Sequence, residues 1–214
     1  ESSLEEVVAT TQRIELKASP IDPDNLTSPW LTARPRALKA LSEVIGPSDY
    51  QARAGACTWA DGVYWLRILD RRPDGLLVVE NMPEAGKLSV RKVQAVIEPD
   101  LVYPFIEWKA IGRFRAAPTH HILMVQDPKK RTGYEEAWLK LEFPHTYAYL
   151  KQFEGILRKR SGYEKYFDPQ RDPFYSMYNI STYTFSPFRV MWKTMGNAIE
   201  AVVVGPGEDV FVGS

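Results

Sequence analysis

The stretch Gly62-Val63-Tyr64-Trp65-Leu66-Arg67-Ile68-Leu69-Asp70-Arg71-Arg72-Pro73-Asp74-Gly75-Leu76-Leu77-Val78-Val79-Glu80 decides the fold. Val63 to Leu69 is an apolar, β-prone run. Arg72-Pro73-Asp74-Gly75 is a turn, because proline presets φ and glycine accepts a positive φ without steric cost. Leu76 to Glu80 returns as a second strand. A loop holding Pro83 and Gly86 leads to a third, Leu88 to Ile97, and the three form an antiparallel meander. Thr119 to Val125 reads as a further strand, closed by Asp127-Pro128.

Downstream the period changes. Tyr134 to Leu141 reads as a helix. His145 to Lys159 reads as a second, with Tyr147, Leu150, Phe153 and Leu157 on one face and Lys151, Arg158 and Lys159 toward solvent. Gly162 is expected to end it. Two more apolar runs follow, Phe188 to Trp192 and Ala198 to Val204, and Gly205-Pro206-Gly207 reads as a turn. Upstream, Leu38, Leu41, Val44 and Ile45 stand at helical spacing within Arg36 to Ile45, and Gly46-Pro47 stops that short amphipathic helix. Residues 1–34 are acidic and then Pro/Asp-rich, which suits a linker or extended lead-in. The pattern predicts an α+β fold: a β meander, a second group of strands, and a helical insert between them. Residues 35–127 hold the first helix and meander, 128–170 the insert, and 171–214 an aromatic segment with the last strands.

The 214 residues carry 27 basic and 27 acidic side chains, so net charge says nothing about a polyanionic partner. The distribution does. Leu101 to Lys165 holds 12 cations against 7 acids, whereas Glu1 to Trp30 holds 2 against 6. A basic central region fits a nucleic-acid face or an unevenly charged solvated surface. Cys57 is the one cysteine, which excludes an internal disulfide and a Cys-rich zinc site and fits a reducing cytoplasm. No apolar run approaches the ~20 residues that span a bilayer. The chain opens on Glu1 and stops at Gly213-Ser214, which points to a segment of a longer polypeptide.

Catalytic signatures are sparse. There is no P-loop and no His-Glu-x-x-His. His120 and His121 are adjacent, so on a strand they face opposite ways and cannot share a metal. No catalytic residue, metal ligand or cofactor site is expected in this chain. Cations for phosphates and arginines for base edges are better supplied. Lys129, Lys130 and Arg131 form a basic loop. Arg158, Lys159 and Arg160 end a helix, where cations also complement the macrodipole. Arg53, Arg113 and Arg115 can bind guanine bidentately, or can pair internally with Glu98 or Glu107. From Phe174 to Trp192 the chain is dense in aromatics. Phe174, Phe185, Phe188 and Trp192 suit a core. Tyr175, Tyr178, Asn179 and Tyr183 keep polar handles that suit a surface meeting nucleic acid.

Four blocks then carry a resemblance. They are Ala52-Arg53-Ala54-Gly55-Ala56-Cys57-Thr58-Trp59-Ala60-Asp61-Gly62-Val63-Tyr64-Trp65; Glu98-Pro99-Asp100-Leu101-Val102-Tyr103-Pro104-Phe105 through Lys109 to Phe114; Pro144-His145-Thr146-Tyr147-Ala148-Tyr149-Leu150 with Leu157-Arg158-Lys159-Arg160; and Tyr178-Asn179-Ile180-Ser181-Thr182-Tyr183-Thr184-Phe185-Ser186-Pro187-Phe188-Arg189-Val190-Met191-Trp192. In order and spacing they resemble the C-terminal target-recognition region of bacterial restriction-modification adenine-N6 DNA methyltransferases. Asp61, Glu107 and Ala110 depart from that pattern, standing where Asn, Arg and Asp are usual.

The resemblance implies a double-stranded DNA specificity module, with Thr58 and Lys109 joining the candidates above. It implies a partner catalytic domain in the same polypeptide, which would flip out adenine and transfer a methyl group from S-adenosylmethionine. That domain's glycine-rich loop and Pro-Pro-Tyr/Phe motif do not occur here, so this chain alone is not expected to methylate. Two other readings stand beside it. One is a protein-interaction or scaffold domain. The other is a small stand-alone enzyme with a pocket built from Glu98, Asp100, Tyr103 and Trp108.

Overall fold

The computed structural model of the chain describes residues 3–193 and 198–206, and the backbone of 211–212. It divides into two compact units, 1–52 and 53–214. The first unit is more structured than a linker. It holds α1 (Leu4–Thr10), the hairpin β1 (Lys17–Pro20) with β2 (Trp30–Ala33), and α2 (Pro35–Ser42). Ser3 and Glu6 close a reciprocal capping box on α1. Proline at the first position of α2 costs nothing, since its missing N–H would be unpaired there anyway. None of the described residues of this unit is buried.

The second unit opens with a short helical turn, α3 (Asp61–Tyr64), where a strand was expected to begin. The turn carries Tyr64 inward, so that its hydroxyl donates to Tyr175 O at 2.9 Å. The strand proper is β3 (Trp65–Arg71), paired with β4 (Leu77–Asn81) and bulged between Ile68 and Asp70. Gly75 lies at φ 87° in the connecting turn, as expected of that glycine. The third strand, β5, covers only Gln94–Ile97. Upstream of it the buried Asn81 side chain takes the ladder's place: its amide donates to Gly62 O and Arg91 O, and its carbonyl accepts from Val93 N–H.

β6 (Val102–Ile106) is a strand beyond those the sequence pattern predicts, and it carries Pro104 within it. It pairs antiparallel with β7 (His120–Leu123) and parallel with the short β12 (Phe211–Val212). The sheet order is β12-β6-β7-β3-β4-β5. Ile97 to Val102 is five Cα steps, a reach of at most ~18 Å, whereas four flat inter-strand spacings need ~19 Å. The sheet must therefore curl to bring β5 toward β6.

β8 (Gln126–Asp127) and β9 (Thr132–Gly133) form a tight hairpin. Then come α4 (Glu136–Glu142), α5 (Pro144–Lys151), α6 (Glu154–Arg158) and α7 (Ser161–Tyr166). The expected long helix is thus two, because Phe153 leaves helical geometry and turns into the core against the Tyr149 ring at 5.3 Å. Gly162 lies inside α7 rather than ending a helix. β10 (Arg189–Trp192) and β11 (Ala201–Val204) pair antiparallel and complete the α+β architecture. Gly207, the second glycine of the expected turn, lies outside the described residues.

Leu66, Val79, Ile97, Phe105 and Ile122 of the sheet pack with Tyr149, Leu150 and Leu157 of the helices and with Phe174, Tyr175 and Met177. A smaller cluster, Ile106, Ile111, Met191 and Val204, sits under β10–β11. No helix among the described residues is long and apolar enough to cross a membrane.

Candidate nucleic-acid interface

Three segments far apart in sequence meet at Cys57 and Tyr178, whose backbones exchange N–H···O bonds at 3.0 Å each way. Their junction is fixed from below by Arg160, which is 1% exposed. Its Nε donates to Leu157 O (2.8 Å), Nη1 to Thr58 O (2.6 Å), and Nη2 to Phe174 O (2.7 Å) and Ser176 O (3.0 Å). The rings of Tyr64 and Tyr163 lie 5.6 and 5.7 Å from the guanidinium. Among the described residues no carboxylate pairs with it. Four backbone carbonyls and two ring faces replace water around this charge.

Above that anchor stands a cluster of three aromatic rings in mutual contact. Tyr166 and Tyr178 stack with centroids 4.3 Å apart, and Trp59 lies 5.6 Å from each, stacked on Tyr166 and tilted against Tyr178. Trp59 lies against Gly162 so closely that a Cβ there would sit 2.0 Å from the indole. Glycine at 162 is therefore a contact requirement. Lys165 Nζ lies 5.1 Å from the Tyr166 centroid. Beyond Tyr178, the Tyr183 hydroxyl donates to Asn179 O at 2.6 Å, and the Arg53 guanidinium lies 5.2 Å from the Tyr183 ring. Burial raises the Tyr183 hydroxyl pKa, and the positive charges of Arg53 and Arg131 oppose that rise.

Arg131 is at the tip of the β8–β9 hairpin. Asp127 Oδ1 accepts from the N–H groups of Lys129 (2.8 Å) and Lys130 (3.1 Å), an Asx turn that shapes the basic loop. Lys130 is engaged by Glu135 at 2.6 Å, which leaves Lys129 and Arg131 as the loop's exposed cations without an ion pair among the described residues.

Trp59, Phe114, Arg131 and Asn179 all have positive φ, at 50°, 62°, 59° and 58°. Asparagine tolerates this region; tryptophan, phenylalanine and arginine seldom occupy it. Two of the four, Trp59 and Asn179, lie in the ring cluster or beside it, and Arg131 lies in the basic loop. Strained backbone tends to gather where function holds it in place.

A second group of candidates lies outside that assembly. Arg113 and Arg115 are exposed at the tip of a tight loop, and neither pairs with an acid among the described residues. Lys109 pairs with Glu107 at 2.9 Å. Glu98, considered above as an arginine partner or pocket acid, serves α5. Its oxygens accept from the N–H groups of His145 (3.0 Å) and Thr146 (2.8 Å) and from the Thr146 hydroxyl (2.6 Å). Burial alone would raise its carboxyl; these three donors outweigh it and hold the pKa below the ordinary range.

Several expected contacts need correction. Thr58 is buried and its hydroxyl is bonded to Asp61 and Ala60 N–H, so it caps a turn. Arg160 is the internal anchor and offers nothing to solvent. Tyr175 is fully buried, with its hydroxyl donating to Tyr134 O at 2.6 Å. Arg158 faces out but is bonded to Glu154 through Nε and Nη2; Lys159 beside it is exposed. Conversely, Phe188 and Trp192 were expected in the core and are exposed. Trp59 and Tyr166 belong to the ring cluster and are not among the expected residues, since nothing in their local sequence brings them together.

No family model matches this chain, and no curated protein matches it.

Proposed function

We propose that this chain is a double-stranded DNA recognition module: the target-recognition region of a site-specific adenine-N6 DNA methyltransferase or a fused restriction-methylation enzyme. The observation that carries the reading is the aromatic cluster of Trp59, Tyr166 and Tyr178, with Lys165 against the Tyr166 ring and Arg53 against the neighbouring Tyr183. Flat rings accept bases and cations accept phosphates, and the backbone that carries Trp59 and Tyr178 is held by the buried Arg160. The four sequence blocks support the same reading, since two of them supply Trp59 and Tyr178 of the cluster. A methyl transfer step would belong to a partner domain that holds S-adenosylmethionine.

A second reading has its own observation. Val190 and Val203 face each other on the outer side of β10–β11, with Trp192 and Phe188 beside them, all exposed. Such a face suits a protein surface, either a separate subunit or the catalytic domain of the same polypeptide.

Retention of a random-sequence duplex pool at two salt concentrations, followed by sequencing, tests the proposal. One short motif should be enriched, and affinity should fall steeply as salt rises. Arg53→Ala should weaken retention and reduce the salt slope by about one. Failure to retain any duplex at either salt concentration would favour the protein-interaction reading.

A further inference from the structure

Resting on the DNA reading above, we infer that Phe114 is a wedge that enters a base step of the bound duplex, with Arg113 and Arg115 on the phosphates at either side. The ring is 89% exposed, more than any other large apolar side chain among the described residues. It sits at φ 62°, the turn position that glycine ordinarily fills. The fold nonetheless holds it there. Gly112 N–H bonds to Arg115 O at 2.9 Å and closes the tip, and Phe114 N–H bonds to Ala201 O at 2.9 Å and ties the tip to β11.

Nothing in the fold's own packing accounts for a phenylalanine at that point. Glycine would relieve the backbone and remove apolar surface from water. A ring held outward against both costs is therefore explained by a partner. The flanking cations identify its chemistry. Arg113 and Arg115 are exposed and have no acid partner among the described residues, whereas Lys109 nearby is already paired with Glu107. An apolar protein pocket gains little from two unpaired guanidiniums beside a ring; a polyanion built of stacked planar groups engages all three. Apolar wedges of this kind unstack a step and kink the duplex.

The test uses the whole chain and a random-sequence duplex pool in which some adenines are replaced by 2-aminopurine, whose fluorescence rises on unstacking. Binding of the wild-type protein should raise the signal of the retained duplexes. Phe114→Gly should return it to the free-duplex level while the melting temperature of the protein holds or rises. Phe114→Leu should restore part of the signal. Arg113→Ala and Arg115→Ala should each lower the salt slope of binding by about one. Retained duplex with unchanged fluorescence, or an undiminished rise with Phe114→Gly, overturns the wedge and leaves the DNA reading standing. A lower melting temperature for Phe114→Gly also overturns it, since the ring would then support the fold. If no duplex is retained, the recognition reading fails and the wedge with it.

Discussion

Arg158, Lys159 and Arg160 look alike in sequence, yet the fold gives them three fates. Arg158 is bound to Glu154, Lys159 faces solvent, and Arg160 is the internal anchor. Arg160's role depends on carbonyls as far away as Thr58, 102 residues upstream, so no local pattern reveals it. Replacing it with methionine keeps most of the stem but leaves buried carbonyls without donors, at a cost of ~1–3 kcal/mol for each one stranded. Arg160→Met should therefore lower unfolding free energy by at least ~3 kcal/mol in urea titration. A loss below ~1 kcal/mol would mean that water can replace the guanidinium. Tyr175 and Thr58 teach the same lesson: a polar handle in the sequence does not distinguish a hydroxyl reaching outward from one reaching a buried carbonyl.

Elements were more legible than residues. The β3 and β4 strands and the turn at Gly75 follow from apolar runs and turn chemistry, which act locally. β6 lies beyond the predicted strands and carries Pro104, a residue that weakens a strand pattern. The late start of β5 is set by the Asn81 side chain, whose role is fixed only in the folded chain. The break between α5 and α6 comes from Phe153 reaching the core, a tertiary demand on a segment whose own periodicity favours continuity. Glu98 shows how one element is finished by another, since its carboxylate closes the first turn of α5 from 47 residues away. Its folded pKa is depressed, so its contribution is present above the unfolded carboxylate value and is lost as pH falls through the folded one. Glu98→Gln should destabilise the protein by ~1–2 kcal/mol at neutral pH. The difference from wild type should shrink progressively as pH falls below the unfolded carboxylate value of about 4.3 and on through the lower folded one, as the wild-type carboxyl takes up its proton. A pH-independent difference would mean that shape, rather than charge, is what α5 requires.

At the scale of the molecule, the two units differ in kind. Residues 53–214 hold all the buried residues described, while 3–52 hold none and expose Leu4, Leu26, Trp30 and Val44. With no described residue fully buried and only a few, such as Leu31 and Leu38, partly so, local hairpin and helix propensity are the first unit's main sources of order. A fragment of residues 53–214 should melt cooperatively near the temperature of the whole chain, and a fragment of residues 1–52 should show no cooperative transition by circular dichroism. A sharp transition in the small fragment would show that its hairpin and capped helices suffice. The reading of residues 1–34 as a linker missed its secondary structure because capping and hairpin signals there are short and lie among acidic and proline-rich residues.

The left-handed backbone at Phe114 and Arg131 has a consequence for how such a surface can change over generations. Outside glycine, asparagine and aspartate, most unbranched side chains carry a similar penalty in that region. Exchanging one for another at these tips therefore alters what the loop touches while leaving the stability of the scaffold nearly constant. Mutational drift at such positions could explore new contacts without first endangering the fold.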